Sequence, residues 1–179
     1  MFKFFALVGF LGILGAIGAA VFFFGGYYNV AGTAEEPAIV KWVLVQVRKA
    51  SVARYATDAP PAGFDDAANV QAGARAFSAR GCVNCHGAPG VNWAKFSEGL
   101  HPDPPDLKEV ANERDPKHLF WVVKNGINMT GMPAFGPLEV PDKEIWSIAA
   151  FIKKLPTVTT ENYRAWTALS PVAPLSPVR

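Results

Sequence analysis

Both cysteines of this 179-residue chain, and one of its three histidines, lie in the stretch Cys82-Val83-Asn84-Cys85-His86. A Cys-x-x-Cys pair is typical of a thioredoxin-like redox centre, of half a zinc site, or of covalent haem attachment. The redox centre needs a flanking βαβ pattern, and a structural zinc needs four ligands, but the sequence offers neither that pattern nor a second cysteine pair. Cys-x-x-Cys-His is the signature of haem attachment. We therefore predict one haem c, bound covalently by Cys82 and Cys85, with His86 as an axial ligand of the iron.

A candidate for the second axial ligand lies in the stretch Gly131-Met132-Pro133. A thioether is a soft, neutral donor, and His/Met ligation raises the reduction potential of a haem iron. Methionines more often fill cores than bind metals, and Met129 competes with Met132 from three residues earlier. These two are the only methionines after Met1, so the sequence restricts the ligand to Met132 or Met129.

Three helices are predicted to position these residues. The first begins near residue 65, runs to about residue 80 and delivers the cysteine motif at its end, with Gly81 as a stop signal. The second follows Asp115 as its N-cap, with Pro116 at its first position, and ends before a glycine. The third spans about residues 142–155 and precedes a proline. Because no alternating strand pattern occurs in this region, we predict an all-α domain.

The haem motif, the segment GMPAF beginning 45 residues after His86, and a closing helix with Phe151 together resemble class I c-type cytochromes. More narrowly, the chain is similar to membrane-anchored monohaem cytochromes of the proteobacterial cell envelope. The resemblance covers residues 66–156, and the anchor by architecture only. It implies the class I cytochrome c fold, in which a few helices surround one covalent haem, preceded here by one N-terminal transmembrane helix.

Several residue roles follow from the resemblance. It implies that Met132, which precedes a proline, is the distal ligand in preference to Met129, and that the first helix packs on the last through Gly73 and Phe77 against Phe151. It also implies that the carbonyl of Pro89 accepts a hydrogen bond from the Nδ1–H of His86. The insert HPDPPDL at residues 101–107 departs from the smallest family members.

The N-terminal segment predicts a membrane anchor. Residues 4–34 carry no charge, and a helix over residues 4–24 would be about 30 Å long, enough to cross a bilayer. The alternative is a cleaved signal peptide, whose apolar core of about 7–15 residues would be shorter. Lys3 precedes the span and no Lys or Arg follows it before Lys41. The positive-inside rule therefore predicts a single-pass protein with its N-terminus cytoplasmic. Together with the resemblance, this implies a location in the bacterial inner membrane with the haem domain in the periplasm.

Composition divides the chain further. Residues 57–179 hold 12 Lys or Arg against 13 Asp or Glu, so the haem domain lacks the net charge that would steer long-range encounters or nucleic-acid binding.

A short helix is predicted at residues 161–168, displaying Tyr163 and Trp166 before a proline-rich end. We predict four parts: an anchor at 1–34, an amphipathic connector with a Pro-rich linker at 35–64, the haem domain at 65–156, and a Pro-rich tail at 157–179.

The function that the resemblance implies is electron transfer between respiratory-chain or periplasmic redox partners, not enzymatic catalysis by this chain itself. Small residues at Gly12, Ala16 and Ala20 would let another membrane helix approach, which favours a subunit of a membrane oxidoreductase complex. A membrane-tethered shuttle is the main alternative. A haem sensor or enzyme with an open distal site, and a mainly structural subunit, are the others.

Overall fold

The computed structural model describes residues 1–168 and forms two compact units, Met1–Glu35 and a second that begins at Glu36. The tail residues 169–179 of the sequence-based division lie outside the described residues. In the described part the only β-type pairing is a single bridge between Ala88 and Val91, so the all-α prediction is confirmed. The α-helices are α1 (Phe2–Phe24), α2 (Ala38–Tyr55), α3 (Ala67–Ala79), α4 (Cys82–His86), α5 (Leu107–Val110), α6 (Pro116–Asn125), α7 (Asp142–Lys154) and α8 (Thr160–Thr167).

Helix α1 forms the first unit almost alone. Its 23 residues include one charge, Lys3, and are otherwise apolar or small. A helix of that length measures about 35 Å, which exceeds the thickness of a bilayer core. By length and composition, α1 fits a single-pass membrane anchor.

The centre of the second unit is the crossing of α3 and α7. At Gly73 the two backbones approach so closely that an added Cβ would collide with the carbonyl oxygen of Ser147 and lie 2.9 Å from the Cβ of Phe151. The rings of Phe77 and Phe151 meet one turn further along, with centroids 5.3 Å apart. The predicted packing of the first helix on the last is therefore confirmed.

Helix α6 starts and ends as its sequence predicts. The side chain of Asp115 accepts a hydrogen bond from the backbone N–H of Lys117, and Gly126 follows the helix with a positive φ of 68°. Its apolar side packs on α7, where Phe120 and Trp146 stack with centroids 4.1 Å apart. The long loops on either side of α6 are therefore attached to a helix that is packed on α7.

Packing continues beyond residue 156. Helix α8 lies against α3, and its Tyr163 is buried, with its ring stacked 5.8 Å from that of Phe151. The prediction of a short helix here is confirmed, but the expectation that Tyr163 is displayed is wrong. The ring of Tyr163 is buried because it covers the outer side of the α3–α7 crossing. The sequence of the tail alone does not reveal this tertiary contact.

Helix α2 lies within the amphipathic connector predicted at residues 35–64, and it packs against α6 of the same unit. Ala56 and Phe64, which flank the proline-containing segment, are both buried. That segment therefore connects two packed elements of one unit. Part of the apolar surface of α2 remains exposed, including Ile39, Trp42 and Val47.

Candidate haem site

The cysteine motif forms the single helical turn α4 between two glycines in positive φ, Gly81 at 79° and Gly87 at 63°. Cys82, Cys85 and His86 stand at positions i, i+3 and i+4 of this turn. Residues with those spacings share one face of a helix. All three line the same cavity, so the two thiols and the imidazole are presented to one space.

That cavity encloses about 260 Å³. Its walls are largely apolar and come mainly from three helices of the unit: Phe77 from α3, Leu119 and Val123 from α6, and Ile148 and Ile152 from α7. Ligand cavities that hold large, mainly apolar groups are lined in this way, with few polar groups that fix orientation. Two thiols, one imidazole and a thioether on an apolar lining fit a covalently bound haem.

The thioether belongs to Met132, which also lines the cavity. Its loop is fixed to the end of α6: Ile127 N–H donates to the Met132 carbonyl at 3.2 Å, and Phe135 N–H donates to the Val123 carbonyl at 3.1 Å. Met129 instead has a positive φ of 58°, and the residue is 90% exposed. The structure therefore brings Met132, and not Met129, together with the cysteine motif.

The Nδ1 atom of His86 lies 2.9 Å from the carbonyl oxygen of Pro105. The expectation that Pro89 supplies this carbonyl is wrong. Two hydrogen bonds between Ala88 and Val91 close a tight turn that holds Pro89, whereas the insert at residues 101–107 returns to the imidazole. A carbonyl acceptor fixes the proton on Nδ1 and leaves Nε2 as the ligating nitrogen.

The pKa shifts of His86 and Cys82 are consistent with this arrangement. Burial lowers the pKa of His86, although the Pro105 carbonyl and the Asp106 carboxylate oppose the shift. A neutral imidazole is the form that binds a metal. Burial also raises the pKa of the Cys82 thiol to about 12, the opposite of the lowered pKa of a redox-active cysteine.

Two arginines border the cavity, and sequence reasoning had not assigned either of them. Arg80 donates two hydrogen bonds to the carboxylate of Glu144, at 2.7 and 3.2 Å, and so ties the end of α3 to α7. Arg48 comes from α2, far from the motif in sequence. The carbonyl of Pro105 had also been missed. Any residue type can supply a backbone acceptor, so the sequence held no residue pattern for this contact. The insert at residues 101–107 was the only signal that pointed to Pro105.

Comparison with known proteins agrees with this geometry. The family model described as cytochrome c oxidase, cbb3-type, subunit III, matches residues 68–152, which run from the first turn of α3 to the last turn of α7. No curated protein and no solved structure matches the chain. The matched region holds the Cys-x-x-Cys-His motif on the apolar cavity described above. Residues 68–152 therefore form a class I c-type cytochrome domain, a kind of domain that binds haem c covalently and supports electron transfer.

Proposed function

We propose that this chain passes single electrons through a haem held by four residues: Cys82 and Cys85 as thioether anchors, and His86 and Met132 as axial ligands. The observation that carries the proposal is that these four side chains line one apolar cavity, while Met129 points away from it into solvent. When bound, the iron supplies a one-electron ferric/ferrous couple, and a His/Met pair leaves no coordination position open for chemistry.

Each residue contributes a distinct property. The one-turn helix α4 presents two thiols on the same side, where they would anchor the haem at two points. The carbonyl of Pro105 holds the imidazole of His86 in one ring orientation, so little rearrangement is needed when the charge of the site changes. The apolar side chains of α3, α6 and α7 exclude water, which favours the state of lower charge and raises the potential.

The attachment residues are tested on denaturing gels. In the wild-type chain, haem colour should migrate with the polypeptide, because thioether bonds survive denaturation. The double variant Cys82→Ala/Cys85→Ala should lose the coloured band. Val83→Ala, a change of the residue between the two thiols in the same turn, should keep it. Pigment that runs free of the wild-type chain would contradict the assignment.

We further infer that the chain is a subunit of a membrane oxidoreductase complex rather than a free carrier. The matching family model describes an oxidase subunit, which supports this assignment. Helix α1 adds the small residues Gly12, Ala16 and Ala20 on one face, a pattern that lets membrane helices pack closely. The nearly neutral haem domain gives little electrostatic steering to a diffusing partner.

We also propose the orientation that the positive-inside rule favours. Lys3 and the amino terminus lie before the span, and the next basic residue after it is Lys41. The N-terminus would then be cytoplasmic and the haem domain periplasmic, in a single-pass protein of the bacterial inner membrane. The redox partners would meet the haem domain on that side.

The subunit assignment is tested by purification in mild detergent. Gly12→Leu/Ala16→Leu should release the chain from its co-purifying proteins and leave its haem spectrum unchanged, because bulky residues block close helix contact. Gly18→Leu lies on the opposite face of α1 and should have no such effect. A double variant that stays bound, or a wild type that purifies alone and transfers electrons with a steep dependence on salt, would favour the tethered shuttle.

A further inference from the structure

Helix α2 contributes a charged residue to the haem cavity, although it lies outside the region that the cytochrome family model covers. Arg48 lines the cavity together with residues of the haem domain. The helix is held in this place by packing against α6 and by the burial of Ala56 just beyond its end. The connector is therefore positioned beside the haem site.

The charges around the cavity distinguish Arg48 from its neighbours. Arg80, the other arginine on the lining, is engaged in a two-point contact with Glu144, and its side chain is only 7% exposed. Arg48 is half-buried, and within residues 1–168 it forms no ion pair and no side-chain hydrogen bond. A cation in this position remains available for an anion inside the cavity.

We propose that Arg48 binds a carboxylate of the haem and that α2 is thereby part of the haem site. The proposal rests on the proposed function, since it requires haem in this cavity. Haem carries two propionate side chains, and a carboxylate in a largely apolar cavity needs a charged or hydrogen-bonding partner. A guanidinium is the cation that pairs best with a carboxylate, because its planar N–H groups can meet both oxygens.

A positive charge at this point favours the ferrous state, which carries one positive charge less than the ferric state. Removal of the charge should shift the one-electron equilibrium toward ferric iron. We expect a roughly threefold to tenfold shift, the upper value corresponding to about 59 mV. If Arg48 only packed against α6, its replacement by a neutral residue of similar shape would not produce such a shift of the reduction potential.

The test compares variants of the full-length chain in detergent. Arg48→Gln should lower the reduction potential and shift the propionate bending band in the resonance Raman spectrum. Lys49→Gln removes the same charge from the next residue of α2, which is exposed, and should change the potential much less and the band not at all. Arg48→Lys keeps the charge and should largely restore the potential, while the band stays shifted because an ammonium cannot make the two-point contact.

Equal changes in Arg48→Gln and Lys49→Gln, or an unshifted propionate band in both Arg48 variants, would overturn the proposal. If Arg48→Gln does not accumulate in cells, the test rests on the propionate bending band of Arg48→Lys, which is compared with that of the control variant Lys49→Arg. Denaturing gels separate this outcome from failure of the proposed function. A wild-type chain without covalent pigment would reject haem in the cavity, whereas pigmented variants with unchanged spectra would reject only the role of Arg48.

Discussion

Met132→Ala should lower the reduction potential by on the order of 100 mV or more and open the ferrous iron to carbon monoxide. Axial ligands set haem potentials over about 0.8 V, and a methionine thioether raises the potential relative to weaker or harder donors. Met132 lies on the cavity lining and its loop is fixed to α6, so no other thioether can replace it without rebuilding the loop. The weak far-red band of a sulfur-ligated ferric haem should disappear as the potential falls.

Met129→Ala is the matched control, because it removes the same side chain three residues away. Met129 is 90% exposed, so the potential, the far-red band and the lack of carbon monoxide binding should all remain. If Met129→Ala behaved as a ligand variant and Met132→Ala as the wild type, the axial assignment would be wrong. Carbon monoxide binding by the wild type would favour an open distal site.

Gly73→Ala should destabilise the haem domain by about 3 kcal/mol or more. The new methyl group would collide with the backbone carbonyl of Ser147, which cannot rotate away as a side chain can. Alanine gains up to about 1 kcal/mol of helix propensity over glycine, but separating α3 from α7 disrupts the centre of the core. Urea unfolding of the purified chain, followed by the haem absorbance, measures the change.

Gly99→Ala provides the comparison for Gly73. A Cβ at Gly99 meets no heavy atom within 4 Å, so the free energy of unfolding should change by no more than about 0.5 kcal/mol. A small effect of Gly73→Ala would mean that α3 and α7 can move apart at little cost. The crossing would then not be the fixed centre of this fold.

Local signals made much of the helical framework predictable. Asp115 and Pro116 start α6 through capping and a preset φ, and Gly81 ends the turn after α3 in a left-handed conformation. The resemblance to class I cytochromes added the contact of Phe77 with Phe151, which lies 74 residues further along the chain. These predictions succeeded because short-range chemistry or a family pattern specifies them.

The sequence revealed less about contacts that depend on the path of the long loops and of the flanking helices. Nothing near Arg48 indicates that α2 turns toward the haem cavity, and nothing near Tyr163 indicates that its ring covers Phe151. The resemblance to class I cytochromes implied Pro89 as the carbonyl that meets His86, but the insert at residues 101–107 supplies Pro105 instead. Tertiary neighbours of this kind are set by the whole fold and not by spacing.

The contact between His86 and the carbonyl of Pro105 has a consequence for how this protein can diverge in evolution. Every amino acid supplies a carbonyl, so replacement of Pro105 keeps the acceptor as long as the backbone follows the same route. Insertion or deletion between residues 87 and 104 would instead move the acceptor away from the imidazole. Selection on the loop between residues 87 and 104 should therefore preserve its length while its amino-acid sequence changes. Homologues would share the contact without sharing a residue that marks it.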